Sequence, residues 1–301
     1  MFDIWDVIVK IRTKLKIASK LPEKIFVGLS EEVSFDRAGE NVCALISVNT
    51  EIENEINPLT DCFFDIQILD KSLVNDADIE QLKFYLPYAF ANFFGRKYQK
   101  CFSISHFAQT LDGKIATNHG DSKWIGNEEN LIHAHKMRAL CDGILVGART
   151  LEIDNPRLNV RKVHGDNPVK IILGGKGNLN LEKYNAIEPS SIVFKCPKNL
   201  RDSGDCIEIS EETPFNLHNI LNQLAKKKIY SVYIEGGSYT TSCFLEQYAL
   251  DQVQIHFSCK ILGSGLNAFE FGNIGKISDA IVFKSVRFFP IGDEMMFIGN
   301  L

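Results

Sequence analysis

Four charged side chains and a glycine pair stand where this chain could do chemistry: Lys114, Arg138, Arg161, Glu235 and Gly236-Gly237. Arginine presents a planar fork of donors that suits phosphate, and Arg138 and Arg161 together could clamp one. Lys114 follows the turn Thr110-Leu111-Asp112-Gly113, from which its ammonium could reach a sugar hydroxyl or a phosphate; the plainer reading is a turn followed by a solvated lysine. Glu235 closes the apolar run Val232-Tyr233-Ile234 and leads into Gly236-Gly237 and then Ser238-Tyr239-Thr240-Thr241-Ser242-Cys243. A strand passing through a glycine turn into a helix start leaves backbone N–H groups unpaired and lets an anion approach without meeting a Cβ. Taken alone, an ordinary strand-turn-helix corner explains that stretch at least as well.

Other groups lie between these. In Ser122-Lys123-Trp124-Ile125-Gly126, Trp124 could wall off a planar ring or fill a core. The spacing predicts a helix over 127–141, with Asn127 as N-cap and Glu128 and Glu129 in the first turn. About 100° per residue puts Leu131, Ala134, Met137, Arg138 and Cys141 on one arc. Arg138 therefore sits in an apolar stripe and needs either a carboxylate or an anionic ligand. Asp154-Asn155-Pro156 reads as a turn, followed by a short extended piece carrying Leu158, Val160 and Arg161, the last equally explicable as a surface residue. Gly174-Gly175-Lys176-Gly177 lacks the order of a phosphate loop and reads as a flexible turn, and Lys226-Lys227-Lys228 as a helix C-terminal cap. His133 and His135, two apart on a helix, make a weak metal pair.

These residues need a scaffold, and 301 residues with 45% hydrophobic content supply one. A net charge of −5 with interspersed signs argues against nucleic acid as a partner. No apolar run approaches the ~20 residues of a membrane helix, so the expected compartment is the cytoplasm. Eight cysteines without a CxxC pair read as buried thiols of a reducing compartment.

Ile4, Ile8, Ile11 and Leu15 predict an N-terminal helix ended by Pro22; apolar runs at 25–27, 42–46 and 63–69 predict strands. A helix over 78–94 is expected to be interrupted or ended at Pro87, with Phe84, Tyr85, Tyr88, Phe90, Phe93 and Phe94 as a core cluster. Residues 1–95 thus form a small α/β extension of unknown role. Over 96–301, strands at 101–107, 143–148, 168–173, 191–195, 205–209, 230–235, 252–261, 281–288 and 293–298 alternate with helices at 127–141, 215–228 and 238–248. That pattern predicts an α/β fold with a mostly parallel sheet flanked by helices, whose ligands bind beyond the carboxyl ends of the strands.

Thr110-Leu111-Asp112-Gly113-Lys114-Ile115-Ala116, Ser122-Lys123-Trp124-Ile125, Arg138 to Gly147, Thr150, Asp154 to Arg161, Glu235-Gly236-Gly237 and Lys260-Ile261-Leu262-Gly263-Ser264-Gly265 occur in order over roughly residues 100–300. Together they resemble the reductase domain of bacterial riboflavin biosynthesis. The resemblance implies a dihydrofolate-reductase-like fold and an NADPH-dependent reduction of a pyrimidine ribosylamine 5′-phosphate to the ribitylamine, by hydride transfer to the sugar C1′.

By position, the resemblance assigns Ser122, Arg138, Leu158 and Arg161 to the substrate, and Lys114 and Glu235 to its ribose or base. Lys114 or a bound water is the implied proton donor. Ala108, Trp124, Thr150 and Asp154 would meet the cofactor, and Gly237, Ser238, Tyr239, Thr240, Thr241, Ser242 and Cys243 its phosphates. The family tends to form homodimers, for which the run Ile281 to Phe289 could serve as an edge. Gly174-Gly175 replaces the family's aspartate after the third strand of the domain, removing a side-chain contact to the cofactor and with it a ground for preferring NADPH. Residues 1–95 lack the H-x-E and P-C-x-x-C pattern of the companion deaminase. Two alternatives stay open: the same reductase domain acting on another pyrimidine or pterin, and a non-catalytic nucleotide-binding relative.

Overall fold

The structure is a computed structural model that describes every residue except 1, 40, 51–55, 176–179, 196–206, 211–214 and 273. The chain opens with helix α1 (Ile4–Ile17) and strands β1 (Lys24–Gly28), β2 (Val33–Phe35), β3 (Val42–Val48) and β4 (Phe64–Ile68). The strands form an antiparallel sheet in the order β2-β1-β3-β4. Helix α2 (Asp76–Tyr98) follows, started by a capping box in which Asn75 and Asp78 bond each other's backbone N–H groups.

Pro87 neither interrupts nor ends α2, contrary to the sequence expectation. A proline inside a helix costs about 3 kcal/mol, but Leu86, Tyr88, Phe90 and Phe94 are buried around it. Each such side chain returns roughly 1.5–3 kcal/mol, so packing holds the helix through the proline. Residue 95, where the extension was expected to end, lies within this helix.

The main sheet is built from β5 (Phe102–Gln109), β7 (Gly143–Gly147), β8 (Val169–Gly175), β9 (Ile192–Lys195), β10 (Ile207–Ser210), β11 (Ser231–Ile234), β12 (Gln252–Phe257), β14 (Ser285–Ile291) and β15 (Glu294–Asn300). A separate short ribbon joins β6 (Lys114–Ala116) to β13 (Leu266–Asn267). The helices are α3 (Glu128–Leu140), α4 (Ala148–Asp154), α5 (Leu217–Lys226) and α6 (Ser238–Glu246). The nine-stranded order is β10-β9-β8-β7-β11-β5-β12-β15-β14. It is parallel from β10 to β12 and antiparallel at β12-β15 and β15-β14. This is the mostly parallel, helix-flanked sheet the sequence predicts. From β7 the chain steps outward to β10, then returns to insert β11 between β7 and β5, so Glu235 emerges in the middle of the sheet.

Some boundaries move. The strand expected at 252–261 stops at Phe257, and that expected at 281–288 runs from Ser285 to Ile291. Hairpin register decides the latter: Ile291 pairs with Glu294 around Gly292 (φ +65°), which sets Ser285 opposite Asn300 and leaves Ile281 and Phe283 ahead of the strand. Helix α4 was not anticipated; it ends on Asn155 in the left-handed conformation (φ 40°), which makes the expected turn.

Cys43, Cys101 and Cys141 are buried thiols, but Cys62 and Cys259 are exposed and Cys243 half-buried, because these lie where the chain leaves the core or on a helix flank. Cys196 and Cys206 lie outside the described residues, as do Lys176 and Gly177 of the expected flexible turn. No helix among the described residues is long and apolar enough to cross a membrane.

Candidate active site

Helix α3 carries one wall. Asn127 caps it, accepting from Asn130 N at 2.9 Å, and its Nδ2 ties the helix start to Ile291 O at 2.7 Å. At the other end Arg12 of α1 donates to Leu140 O at 2.6 Å and Cys141 O at 3.2 Å, covering carbonyls a helix end leaves unpaired, and bonds Asp142 at 3.2 Å. Between these anchors, Arg138 meets Glu235 in a two-pronged pair, Nε to Oε1 at 2.7 Å and Nη2 to Oε2 at 2.6 Å. Arg138 is 8% exposed, so the carboxylate is the partner its position in the apolar stripe requires.

The third donor of Arg138, Nη1, reaches Asn159 O at 3.2 Å, and Arg161 Nη1 reaches Asn159 Oδ1 at 3.0 Å. Arg161 itself is exposed, and its pKa is lowered by partial burial and by the charges of Arg138 and Arg157. Arg138, Arg161 and Glu235 therefore lie together around Asn159. Arg138 spends three donors inside the protein, on Glu235 and Asn159, whereas exposed Arg161 spends one, on Asn159.

Leu158 is not extended as expected. Its φ is +54° and its side chain is buried at 2% exposure with Ile144, Val146 and Leu151. His135 supports this turn: its Nδ1 accepts from Arg161 N at 3.1 Å. The proton of the neutral ring thus belongs on Nε2, which is buried without a partner among the described residues. Burial, reinforced by the charges of Arg138 and Arg161, pushes His135 down to about 4, so it stays neutral. Sequence reading weighed His135 only as half of a metal pair. The signal that could have found it is its spacing of three from Arg138, which puts both on one helix face.

The second wall is the corner after β11. Glu235 N bonds Leu145 O at 3.0 Å, holding β11 to β7, and Gly237 then caps α6. A Cβ on Gly147 would lie 2.6 Å from Thr240 Oγ1, and one on Gly236 2.6 Å from Thr240 Cβ, so the two glycines let α6 dock against the strand ends. A Cβ on Gly237 would meet nothing within 4 Å, which marks open space in front of the helix N-terminus. Ser238 Oγ and Thr241 Oγ1, on one face of α6, are buried with no partner among the described residues. Ser242 Oγ instead accepts from Glu270 N at 2.9 Å, Tyr239 is exposed and Cys243 half-buried. Unpaired N–H groups, orphan hydroxyls and open glycine space together suit a phosphate-bearing cofactor.

The remaining candidates surround these walls. Lys114 leaves the turn after β5, with its ammonium on Asn267 Oδ1. Asp112 steadies that turn, accepting from Thr110 Oγ1 at 2.6 Å, Gly263 N at 2.7 Å and Leu262 N at 3.2 Å. The Thr110 bond, with those amides, lowers its carboxyl to about 2. Trp124 is 75% exposed in the left-handed conformation (φ 69°), so it is no core filler. It borders a cavity of about 360 Å³ with Asn127, Leu131 and Lys162. Ser122 is half-buried beside it, Ala108 half-buried in β5, Thr150 half-buried on α4 and Asp154 exposed at its end.

Residues 102–297 match the model of the RibD C-terminal domain. The riboflavin biosynthesis protein RibD of Aquifex aeolicus (strain VF5) is 33% identical over 198 residues, 63% of this chain and 55% of that protein. The 2,5-diamino-6-ribosylamino-4(3H)-pyrimidinone 5′-phosphate reductase of Methanothermobacter thermautotrophicus is 31% identical over 206 residues, 64% of this chain and 94% of that protein. A Thermotoga maritima crystal structure, described as a diaminohydroxyphosphoribosylaminopyrimidine deaminase/5-amino-6-(5-phosphoribosylamino)uracil reductase, superposes with a TM-score of 0.63 at 30% identity, covering 74% of this chain and 66% of that one. The chain spans about half the length of the RibD proteins it matches. The match to the domain model covers more than half of the chain, and the chain belongs to the RibD C-terminal domain family.

Proposed function

We propose that this protein is a reductase that uses NADPH to convert a pyrimidine ribosylamine 5′-phosphate into its ribitylamine. One observation carries the reading: the Arg138–Glu235 pair and Arg161 stand beside the open N-terminus of α6, giving two anion-ready features at adjoining strand ends. The archaeal relative, named as a reductase of this type, supports it over nearly its whole length.

In this reading Arg161 receives the substrate phosphate. Arg138 holds Glu235 by both oxygens, so the carboxylate is oriented before a ligand arrives and its remaining lone pairs face the ribose hydroxyls. Ser122 and the backbone of Leu158 complete the substrate wall. Lys114 donates the proton that the amine nitrogen takes up. Ser238, Thr241 and the amides after Gly237 would hold the cofactor's phosphates, with Tyr239, Thr240, Ser242 and Cys243 shaping that helix turn. Ala108, Trp124, Thr150 and Asp154 would flank its nicotinamide end. Bound NADPH would supply the hydride to C1′ of the ring-opened sugar.

The test is to incubate purified protein with the ribosylamine phosphate and NADPH or NADH while following absorbance of the reduced nicotinamide. Oxidation matched one-to-one by ribitylamine is expected; tight NADPH binding without oxidation rejects the reading. Arg161→Ala is expected to raise KM for the phosphate-bearing substrate about tenfold or more, the scale of one charge-assisted hydrogen bond. NADPH affinity should stay as it was, and equal loss of both would remove Arg161 from the substrate wall. A homodimer formed along the exposed edge of β14, where Val286 and Phe288 are exposed, belongs to the same proposal and is checked by sedimentation.

A further inference from the structure

The residues ahead of the family match at 102 meet the rest of the molecule where Arg161 is carried. Val160 and Val163, on either side of Arg161, pack against the core that α1, α2 and the four-stranded sheet enclose. Trp5, 5% exposed on α1, donates from Nε1 to His164 O at 2.8 Å, and Asp6 Oδ1 lies 3.1 Å from His164 Nδ1. From the opposite side α3 grips the same loop, His135 accepting from Arg161 N and Arg138 donating to Asn159 O. The two grips are joined, because Arg12 of α1 caps α3 and the Lys136 ammonium sits 5.2 Å over the Trp5 ring.

Residues 156–168 contain neither helix nor strand, so no backbone ladder holds them. Their position depends on side chains: those that reach in from α1 and α3, the loop's own Asn167 accepting from Val160 N at 2.7 Å, and Leu158, Val160 and Val163 packed into the cores. Any freedom left in the loop must be lost when a ligand binds, at the expense of affinity. We propose that the N-terminal segment is a positioning platform for the Arg161 loop, with Trp5 the positioning residue that joins platform to loop. The proposal rests on the assignment of Arg161 to the substrate phosphate.

Trp5→Phe in the full chain tests it, since phenylalanine keeps a ring against Tyr85 and Lys136 but removes the donor to His164 O. Two readouts are needed: amide hydrogen exchange over residues 160–165 without ligand, and KM, kcat and NADPH affinity. Exchange in the loop is expected to rise while that of α3 holds. KM for the ribosylamine phosphate should rise about three- to tenfold, the scale of one hydrogen bond, with kcat and NADPH affinity unchanged; Trp5→Ala should go further in the same direction. Unchanged exchange, faster exchange with unchanged KM, or a uniform fall of all constants in step with the folded fraction would each overturn the platform. If the unmodified protein turns over no ribosylamine phosphate, the substrate assignment fails, while the exchange measurement still decides whether Trp5 holds the loop.

Discussion

Around Arg138 the polar groups are already bonded to protein: Arg138 to Glu235 and Asn159, Arg161 N to His135, and the helix end behind them to Arg12. At the α6 end, a few residues along the chain from Glu235, two hydroxyls are buried without partners among the described residues and a glycine opens on empty space. One end has its polar groups paired by folding; the other keeps unpaired hydroxyls and open glycine space. The difference teaches that neighbouring parts of one strand-end region can be read by different tests, stability for the first and ligand affinity for the second.

Glu235→Gln should expose the contrast most strongly. It leaves the buried Arg138 without its counter-charge, and breaking a buried pair from one side costs about 3–5 kcal/mol. Urea unfolding measures this, and a loss below about 1 kcal/mol would place the pair among solvent-screened surface bridges instead.

A second effect follows from imidazoles buried at the seam between the N-terminal helices and the sheet. His133 bonds Tyr85 and Gln254, His106 bonds Asn130, and burial above all pushes each down to about 3. The unfolded chain protonates these rings near pH 6.5, the native state only near 3, so between those values the unfolded state binds more protons. Stability is therefore complete above about pH 6.5 and falls as pH drops toward 3, by up to ~1.4 kcal/mol per pH unit for each ring. The urea midpoint at pH 4.5 should lie well below that at pH 7, and a flat profile would contradict the buried neutral rings.

His135 offers a finer cut. His135→Ala removes the acceptor of Arg161 N and should cost about 1–3 kcal/mol with faster exchange of that amide. His135→Asn, whose Oδ1 can take the place of Nδ1, should recover part of both. Equal behaviour of the two variants would show that the ring's bulk matters and its Nδ1 does not. The smallest stability change is expected at the open end: Gly237→Ala, with no atom within 4 Å of the new Cβ, should cost under about 1 kcal/mol. It should nonetheless weaken NADPH in a titration, because the methyl stands where a phosphate would approach. Unimpaired NADPH binding would move the cofactor phosphates away from this corner.

Much of this was legible beforehand, for local reasons. Alternating apolar strands and helical segments announced the parallel sheet, Asn127 announced the start of α3, and the helical arc required a partner for Arg138. What stayed illegible depended on packing. Pro87 looked like a break because propensity is local, whereas the aromatic core that carries α2 past it is not. Leu158 looked extended until its side chain was claimed by a core that forces φ to +54°. His135 was weighed only as half of a metal pair and Trp5 drew no functional reading, since their partners, Arg161 and His164, lie 26 and 159 residues away.

The sequence by itself determined the alternation of main-sheet strands with helices α3, α5 and α6, the charge of the candidate site residues and the glycine corner after Glu235, because each follows from a periodicity or a turn chemistry acting over a few neighbours. Only the tertiary structure decided that Arg138 spends its fork on Glu235, that Arg161 stays exposed beside that pair, and that the first helix stands beneath the Arg161 loop. Those outcomes are pairings across 97 and more residues, selected by which buried charge and which apolar face could be satisfied once the sheet had closed around β11.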